Sequence, residues 1–498
     1  MERKLYTPQT GNYNMVMAYP AKEEFALSSL GYLWLYKIAD THSGINAKKI
    51  STDNIDLNIK EIDALSFSMS FDFDYLGVLE ILDKLSIPFY AKDRNENHPI
   101  IFAGGPVITT NPCPYELFFD FMIIGDGESI FPKVLEIIKS NSKKDALEQL
   151  KNIDGIYFTG RNTKKITENL ENVIYTPIIS NKSYFKDTFI IEVARGCMNR
   201  CAFCTASYTN LPFRNYEFEK IVEAIDLGLQ HTNKIALLGA QISAHPRFED
   251  IMQYIREKIE TGIPIELGIS SLRTDSVSAQ MVQTLVLGGQ KHSTIAIESA
   301  SERLRRYMNK NLKEEQILNA VKIARENGLK GLKIYSMIGL PTETDEDILE
   351  FLRLGKILKT ENKGFNLEFS FSTFVPKPQT PLQWAKREDT KSLEKKQKFL
   401  EKEFAKLGIS TKFSSAKWDF WQTVLSRGDN SLAPMLIRVY EQGGKIGAYK
   451  SACKELNIDI EQFINELDVE KELHWDIIEN YPGKKLLKNE LNRLKKFS

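Results

Sequence analysis

A chain of 498 residues, 42% hydrophobic and 10% aromatic, has room for about three domains with substantial cores. Lysine plus arginine balances aspartate plus glutamate at 66 each, so no overall field gathers nucleic acid or an anionic membrane. Five cysteines are too few for a disulfide framework, residues 1–6 lack the apolar core of a signal peptide, and no run of about 18 apolar residues occurs. The expectation is a cytoplasmic protein with no membrane partner.

Residues 14–20 form an apolar run that opens a sheet, and residues 23–38 carry apolar positions at helical spacing. Strands are expected at 62–70, 99–103 and 120–124, with helices at 76–85 and 130–140. Two of these strands end in glycine turns, Gly104-Gly105-Pro106 and Gly125-Asp126-Gly127-Glu128. Strands alternating with helices imply a parallel, doubly wound (Rossmann-like) sheet, whose ligands sit beyond the carboxyl ends of the strands. A linker rich in Lys, Asn and Thr with short strands at 154–159 and 173–177 closes a first domain over residues 1–178.

From residue 183 the alternation is regular, with strand-like runs at 189–193, 235–238, 265–269, 294–297, 333–337 and 367–371. Helical patterns separate them at 218–228, 248–260, 276–287, 313–326 and 345–358. Six β/α steps predict a partial (β/α)6 TIM barrel over residues 183–400, with its chemistry at the carboxyl ends of the strands. Residues 387–407 read as a charged, solvated helix, and residues 401–498 as a small, mainly helical C-terminal region. Trp418, Phe420 and Trp421 read as core. The terminal clusters Lys484-Lys485 and Lys495-Lys496 make a basic amphipathic end, with nucleic acid a minor expectation in a neutral chain.

Directly after the first barrel strand stand Cys197, Cys201 and Cys204, in the spacing C-x₃-C-x₂-C. Thiolates select iron–sulfur clusters or zinc, and three cysteines for a cluster that normally takes four leave one iron open to a small molecule. This spacing, with Phe203 interposed, resembles the radical S-adenosylmethionine (radical SAM) superfamily. The resemblance implies a [4Fe–4S] cluster on the three cysteines, SAM chelating the fourth iron, and an electron donor such as flavodoxin or ferredoxin. It also implies a SAM site at the barrel mouth. Arg273 would meet the SAM carboxylate, Ser271 and Glu298 the ribose, and Phe203 with the backbone at Gly339 the adenine. Gly239-Ala240-Gln241 stands where many members carry Gly-Gly-Glu for the SAM ammonium. The residues by themselves also fit Arg273 as a helix cap and Glu298 as a partner of Arg303 or Arg305.

A glycine-turned α/β domain ahead of such a barrel resembles the cobalamin-binding class, which implies Ser66, Ser68, Gly104 and Gly105 along the cofactor's nucleotide tail. Asp40-Thr41-His42-Ser43-Gly44 is one residue short of that class's D-x-H-x-x-G motif, and reads as a turn with a surface histidine. Cys113 reads as a loop thiol and Cys453 as a small buried hydrophobe. The prolines of residues 374–384 and the segment Ser426-Arg427-Gly428-Asp429 resemble a subgroup of largely unassigned function. Arg-Gly-Asp itself reads as a helix stop. The expected activity is radical SAM chemistry ending in a cobalamin-dependent methyl transfer to an unreactive carbon. Two alternatives stand beside it. One is a cobalamin-independent modification enzyme for RNA or protein. The other is a zinc or structural-cluster binding module with His231 or His245 as fourth ligand.

Overall fold

The computed structural model describes residues 2–480 and 483–497. The N-terminal sheet has six strands: β1 (Gly11–Tyr19), β2 (Gly44–Ser51), β3 (Ala64–Ser68), β4 (Ile100–Gly104), β5 (Phe121–Ile123) and β6 (Ile156–Tyr157). Their order is β2-β1-β3-β4-β5-β6, parallel except for the last pair. The apolar runs expected as strands form β1, β3, β4 and β5. The β2 strand was not anticipated. Its Lys48 and Lys49 break the apolar pattern, because an edge strand buries only Ile45, Ala47, Ile50 and Ser51. The helix expected over 23–38 divides into Glu23–Ala26 and Leu30–Asp40.

A parallel sheet needs cover on both faces. Helices Leu30–Asp40 and Ile130–Ser140 cover one face, packing Leu33, Tyr36, Val134 and Leu135 on Met15, Met17 and Phe102. On the other face the local chain supplies one long helix, Tyr75–Lys84, and the C-terminal helices complete the layer. Trp421, Leu425, Leu436 and Tyr449 share a core with Val16, Phe67, Val78 and Leu82, and the Tyr75 hydroxyl meets that of Tyr449 at 2.6 Å. Residues 401–498, expected as a region of their own, are therefore shared out between both domains.

The barrel strands are β7 (Thr188–Glu192), β8 (Lys234–Leu238), β9 (Glu266–Ile269), β10 (Leu272–Arg273), β11 (His292–Glu298), β12 (Gly331–Ile338), β13 (Asn366–Thr373) and β14 (Ser410–Phe413). All pair in parallel, but in two sheets, β7-β8-β9 and β10-β11-β12-β13-β14. β9 and β10 are one interrupted strand, so the barrel wall has a seam at Ser270-Ser271. β14 is a parallel strand beyond the six expected, and its Ser-Thr-Lys-Phe sequence hides it as a polar edge. The charged helix before it, Thr390–Lys406, is amphipathic and buries Leu393, Leu400 and Phe404 on the barrel.

The proline-rich segment and Ser426-Arg427 lie where the parts meet. Lys377 Nζ contacts Asp72 Oδ2 and Ser426 Oγ at 2.6 Å each, and Gln422 and Ser426 complete the coordination of Asp72. Arg427 ends helix Ala416–Arg427 and is buried against the carbonyls of Ala385 and Asn465, with burial pushing it down to about 9. Among the described residues no helix is long and apolar enough to cross a membrane.

Because Trp421 is a shared core residue, Trp421→Ala should cost about 3–5 kcal/mol. Hydrogen exchange should quicken in β3 and β4, more than 300 residues earlier in the chain. Exchange confined to the C-terminal helices would show that the two regions fold separately.

Candidate active site

In a closed barrel both strand faces are buried. Here burial alternates. Ile191, Leu237, Leu267, Ile295, Ile297, Ile334, Phe369 and Phe371 are buried beneath the helices, while Ile190, Ala236, Thr294, Ala296, Tyr335 and Ser370 of the inward face stay partly open. The lumen is a chamber rather than a packed core.

The cysteine loop closes one end of it. After β7 the chain makes a short ribbon, Ala194–Arg195 against Arg214–Asn215, and turns at Gly196 with φ +84°. A Cβ there would stand 2.3 Å from the Asn210 carbonyl oxygen, so the turn needs glycine. Cys197 and Cys201 are buried and Cys204 is half-buried. Burial pushes the Cys201 thiol up to about 12, and both other thiols act on it. Cys204 is raised too, by burial first and by Cys197 in addition.

Neighbouring segments clamp the loop. The Met308 carbonyl accepts from Ala202 N (2.9 Å), Leu382 N donates to the Ala202 carbonyl (3.1 Å), and Asn309 Nδ2 donates to the carbonyls of Asn199 (3.2 Å) and Arg200 (2.9 Å). Gln241 Oε1 accepts from Asn199 Nδ2 at 2.6 Å and from Cys197 Sγ at 3.2 Å. At the end of β11 a register shift puts Glu298 at φ +63°, where its carboxylate takes Lys310 Nζ at 2.8 Å. Both act on the Cys201 thiol. Lys310, Asn199 and Asn309 were missed in the sequence. The one hint was a lysine 12 residues after a strand-end acid.

The expected SAM residues divide. Gln241 and Glu298 stand with the cysteines. Gly239 lies against the ribbon, where a Cβ would meet the Ala194 carbonyl at 2.9 Å, and its own carbonyl accepts from Ser270 Oγ at 3.2 Å. Ala240 beside it is exposed. Phe203 packs behind the loop with Tyr208 and Met308. The other three have settings of their own. Arg273 is held by Asp275 at 2.5 and 2.8 Å, and its charge acts on Lys310 of the cysteine site. Ser271 is exposed at the wall seam, beside His292 and Thr294. Gly339 faces helix Thr390–Lys406: its N–H binds Glu343 at 2.9 Å, and a Cβ would collide with Leu393. Glu298 pairs with neither Arg303 nor Arg305, since Arg303 binds Asp347 and Arg305 binds the carbonyls of Ser299, Ala300 and Leu312.

Ser66, Ser68, Gly104 and Gly105 all line a cavity of about 480 Å³ over the carboxyl ends of the N-terminal strands. Its opposite wall is the segment directly after Cys204, through Thr205, Thr209 and Asn210. Gly105 takes φ +115° and its Cβ position lies 2.4 Å from the Met69 carbonyl oxygen, so the backbone turns there without a side chain. His42 lies outside the cavity lining, with Nδ1 3.1 Å from the Ser43 carbonyl. Cys113 also lies outside it, donating to the His474 carbonyl, and burial pushes its thiol up to about 12.

The cavity floor carries a charge cluster. Arg195 NH1 meets Asp126 at 3.0 Å, while NH2 meets Glu128 at 2.6 Å and Glu192 at 2.7 Å. Arg214 adds a second bond to Asp126 at 2.8 Å. Burial works against the Arg195 charge, but the three carboxylates outweigh it and raise its pKa. Burial likewise opposes ionised Asp126, and the two arginines still hold it below the usual carboxylate range.

The zinc alternative loses its fourth ligand. His245 is buried with Nε2 on the Tyr216 carbonyl and Nδ1 accepting from Arg247 N, and His231 precedes β8, at the opposite end of the barrel from the cysteines. Among the described residues no group of His, Cys, Asp and Glu closes round a single metal ion. A four-iron cube spreads its ligands over separate corners, and three features of the loop fit one. The three thiols are close enough for their charges to act on one another, Ser207 sits beside Cys204, and Cys113 and Cys453 are engaged elsewhere.

Two family models match the chain. "Radical SAM proteins, N-terminal" matches residues 37–158 and "Radical SAM superfamily" matches residues 191–355. An uncharacterized protein of Methanocaldococcus jannaschii is 30% identical over 431 residues, covering 85% of this chain and 90% of its own. The chain belongs to the radical SAM superfamily. It is thus an enzyme, and an uncharacterized methyltransferase of Pyrococcus horikoshii is 26% identical over 325 residues, 60% of this chain and 67% of that one. The radical SAM fold is also similar to that of OxsB, a cobalamin-dependent S-adenosylmethionine radical enzyme solved with aqua-cobalamin and S-adenosylmethionine bound. That likeness has a TM-score of 0.56 at 13% identity, over 97% of this chain and 79% of OxsB.

Removing the guanidinium leaves three carboxylates facing one another at the domain boundary. Arg195→Ala should lower stability by about 3–5 kcal/mol. Arg195→Lys should recover little of it, because an ammonium cannot make the forked contacts. Thermal unfolding of the two variants checks both statements.

Proposed function

We propose that this radical SAM enzyme holds a [4Fe–4S] cluster on Cys197, Cys201 and Cys204, binds SAM at the open iron, and holds cobalamin in the cavity between its domains. The reaction this supports best is methyl transfer to an unreactive carbon. The observation that carries the reading is the cavity itself, whose two walls are the glycine-turned strand ends and the segment directly after Cys204. When bound, these groups supply a 5′-deoxyadenosyl radical from reductive SAM cleavage and a cobalt-borne methyl group. OxsB, which shares the fold, supports the pairing of a radical SAM centre with cobalamin, and the Pyrococcus relative supports methyl transfer.

The chain's own residues do the holding and shaping. Asn309 and Met308 fix the loop backbone, so the three thiols keep their spacing when the site is empty or filled. Gln241 fixes the side chains of Cys197 and Asn199. Glu298, set at the mouth by its strand bulge, is the acid available to SAM hydroxyl or ammonium donors. Lys165, a cavity-lining cation pushed down to about 8 by burial, offers an N–H donor to an anionic part of the nucleotide tail. Among the described residues no histidine lines the cavity, so cobalamin would take no imidazole from this chain.

Anaerobic reconstitution should give a brown protein with about four irons, lost when the three cysteines become alanine. SAM plus reductant should release 5′-deoxyadenosine. Growth with cobalamin should give about one cobalt per chain, and Ser68→Trp, which fills the cavity from β3, should abolish cobalt while leaving iron unchanged. Retention of cobalt in that variant would place cobalamin outside this cavity, and none in the parent would leave the cobalamin-independent reading in its place.

A further inference from the structure

Where the proline-rich segment and Ser426 meet the N-terminal domain there is a side pocket of about 210 Å³. It opens off the larger cavity, with which it shares Ser70, Pro106, Thr110 and Thr205, and Thr205 directly follows Cys204. A space this small takes a small molecule or one end of it.

One part of its wall is apolar, made by Phe71, Pro106 and Val107. Phe71 is 49% exposed, and its turn is held by Asp74, which accepts from Ser70 N at 2.6 Å and Phe71 N at 2.8 Å. A large ring fixed in an open position is a ready contact for an apolar body. The polar part is built on Asp72, whose carboxylate is fully engaged. Its Oδ1 accepts from Ser426 Oγ at 2.7 Å, and its Oδ2 from Lys377 Nζ at 2.6 Å and Gln422 Nε2 at 2.9 Å. Burial opposes the Asp72 charge, but Lys377, Gln422 and Ser426 outweigh it and hold the carboxyl below its usual range.

Lys377 and Gln422 bond the same carboxylate oxygen, so they stand side by side. Among the described residues each keeps one function unused. An ammonium has three N–H donors, and Lys377 has two acceptors, Asp72 and Ser426. Gln422 gives an N–H to Asp72, which leaves its carbonyl oxygen as an acceptor. A donor beside an acceptor is the complement of one amide group. Charge narrows the choice further, because Asp72 already neutralises Lys377 and Asp74 stands behind the turn. A carboxylate ligand would add an uncompensated negative charge, and a neutral amide adds none.

We infer that this side pocket binds the carboxamide end of a small uncharged substrate, with the amide between Lys377 and Gln422 and its apolar body on Phe71. The amide C=O takes the spare Lys377 N–H, and the amide N–H donates to Gln422 Oε1. The inference rests on the function proposed above, which makes the adjoining cavity the place of reaction.

The test is a ligand-detected NMR titration of the full chain, before and after reconstitution with cluster and cobalamin. Three probes of one shape are compared: benzamide, acetophenone, which keeps the carbonyl and lacks the N–H, and benzoate, which is charged. The parent should bind benzamide about tenfold more tightly than either of the others. Gln422→Met removes the acceptor at similar volume and leaves Asp72 its bonds to Lys377 and Ser426. It should bring benzamide and acetophenone within about twofold of each other. Val107→Trp, which fills the pocket from helix Pro106–Thr110, should abolish binding of all three. If that variant does not fold, the benzamide-to-acetophenone ratio in Gln422→Met decides. Benzoate bound as tightly as benzamide, or a benzamide preference unchanged in Gln422→Met, would overturn the amide site. Binding that survives Val107→Trp would overturn it as well. So would loss of benzamide on loading cobalamin, since the pocket would then belong to the cofactor. A parent without cobalt or 5′-deoxyadenosine release would count against the proposed function, while benzamide binding to the same protein still decides the pocket.

Discussion

Arg195 is the point on which the two halves of the site depend. It stands two residues before Cys197, so whatever fixes it fixes the cysteine loop. Its guanidinium is divided between Glu192 of the barrel and Asp126 and Glu128 of the N-terminal domain, and Arg214 supports the same Asp126. Partly buried carboxylates in that number are tolerated only with forked donors among them. The Gly125–Glu128 turn is therefore both a strand-end loop of the Rossmann-like sheet and one jaw of a clamp on the loop that carries the thiols.

A second set of contacts keeps the clamp closed. The N-terminal sheet lacks enough helices of its own on one face, and Trp421, Leu436 and Tyr449 fill the gap. The chain reaches that face only after completing the barrel, so covering the sheet also presses the domains together. Asp72, Lys377 and Ser426 pin the junction with direct bonds. A chamber with walls from two domains stays one chamber because their cores are interleaved.

Much of this was legible in the sequence, and the gaps have a common cause. Strands buried on both faces, such as β3 and β4, announce themselves as apolar runs, and the cysteine trio with its preceding glycine marks the loop. Strands β2 and β14 were hidden because an edge carries lysine and serine as readily as a loop does. The strand-end rule placed Glu298 and Gln241 at the mouth, but it did not show that Arg273 has a partner two residues on in Asp275. Lys310 was invisible for the opposite reason: it follows a helix rather than a strand, and only a bulge in β11 brings Glu298 round to meet it.

The central claim is that cluster and cobalamin share the space between the domains. Pulsed electron paramagnetic resonance on protein holding both a reduced cluster and cobalt(II) measures this directly, since two paramagnets in one chamber couple through space. A resolved dipolar coupling, weakened in Arg195→Ala as the walls part, is the expected result. Two independent spectra with no coupling would place the cofactors apart and contradict the shared chamber.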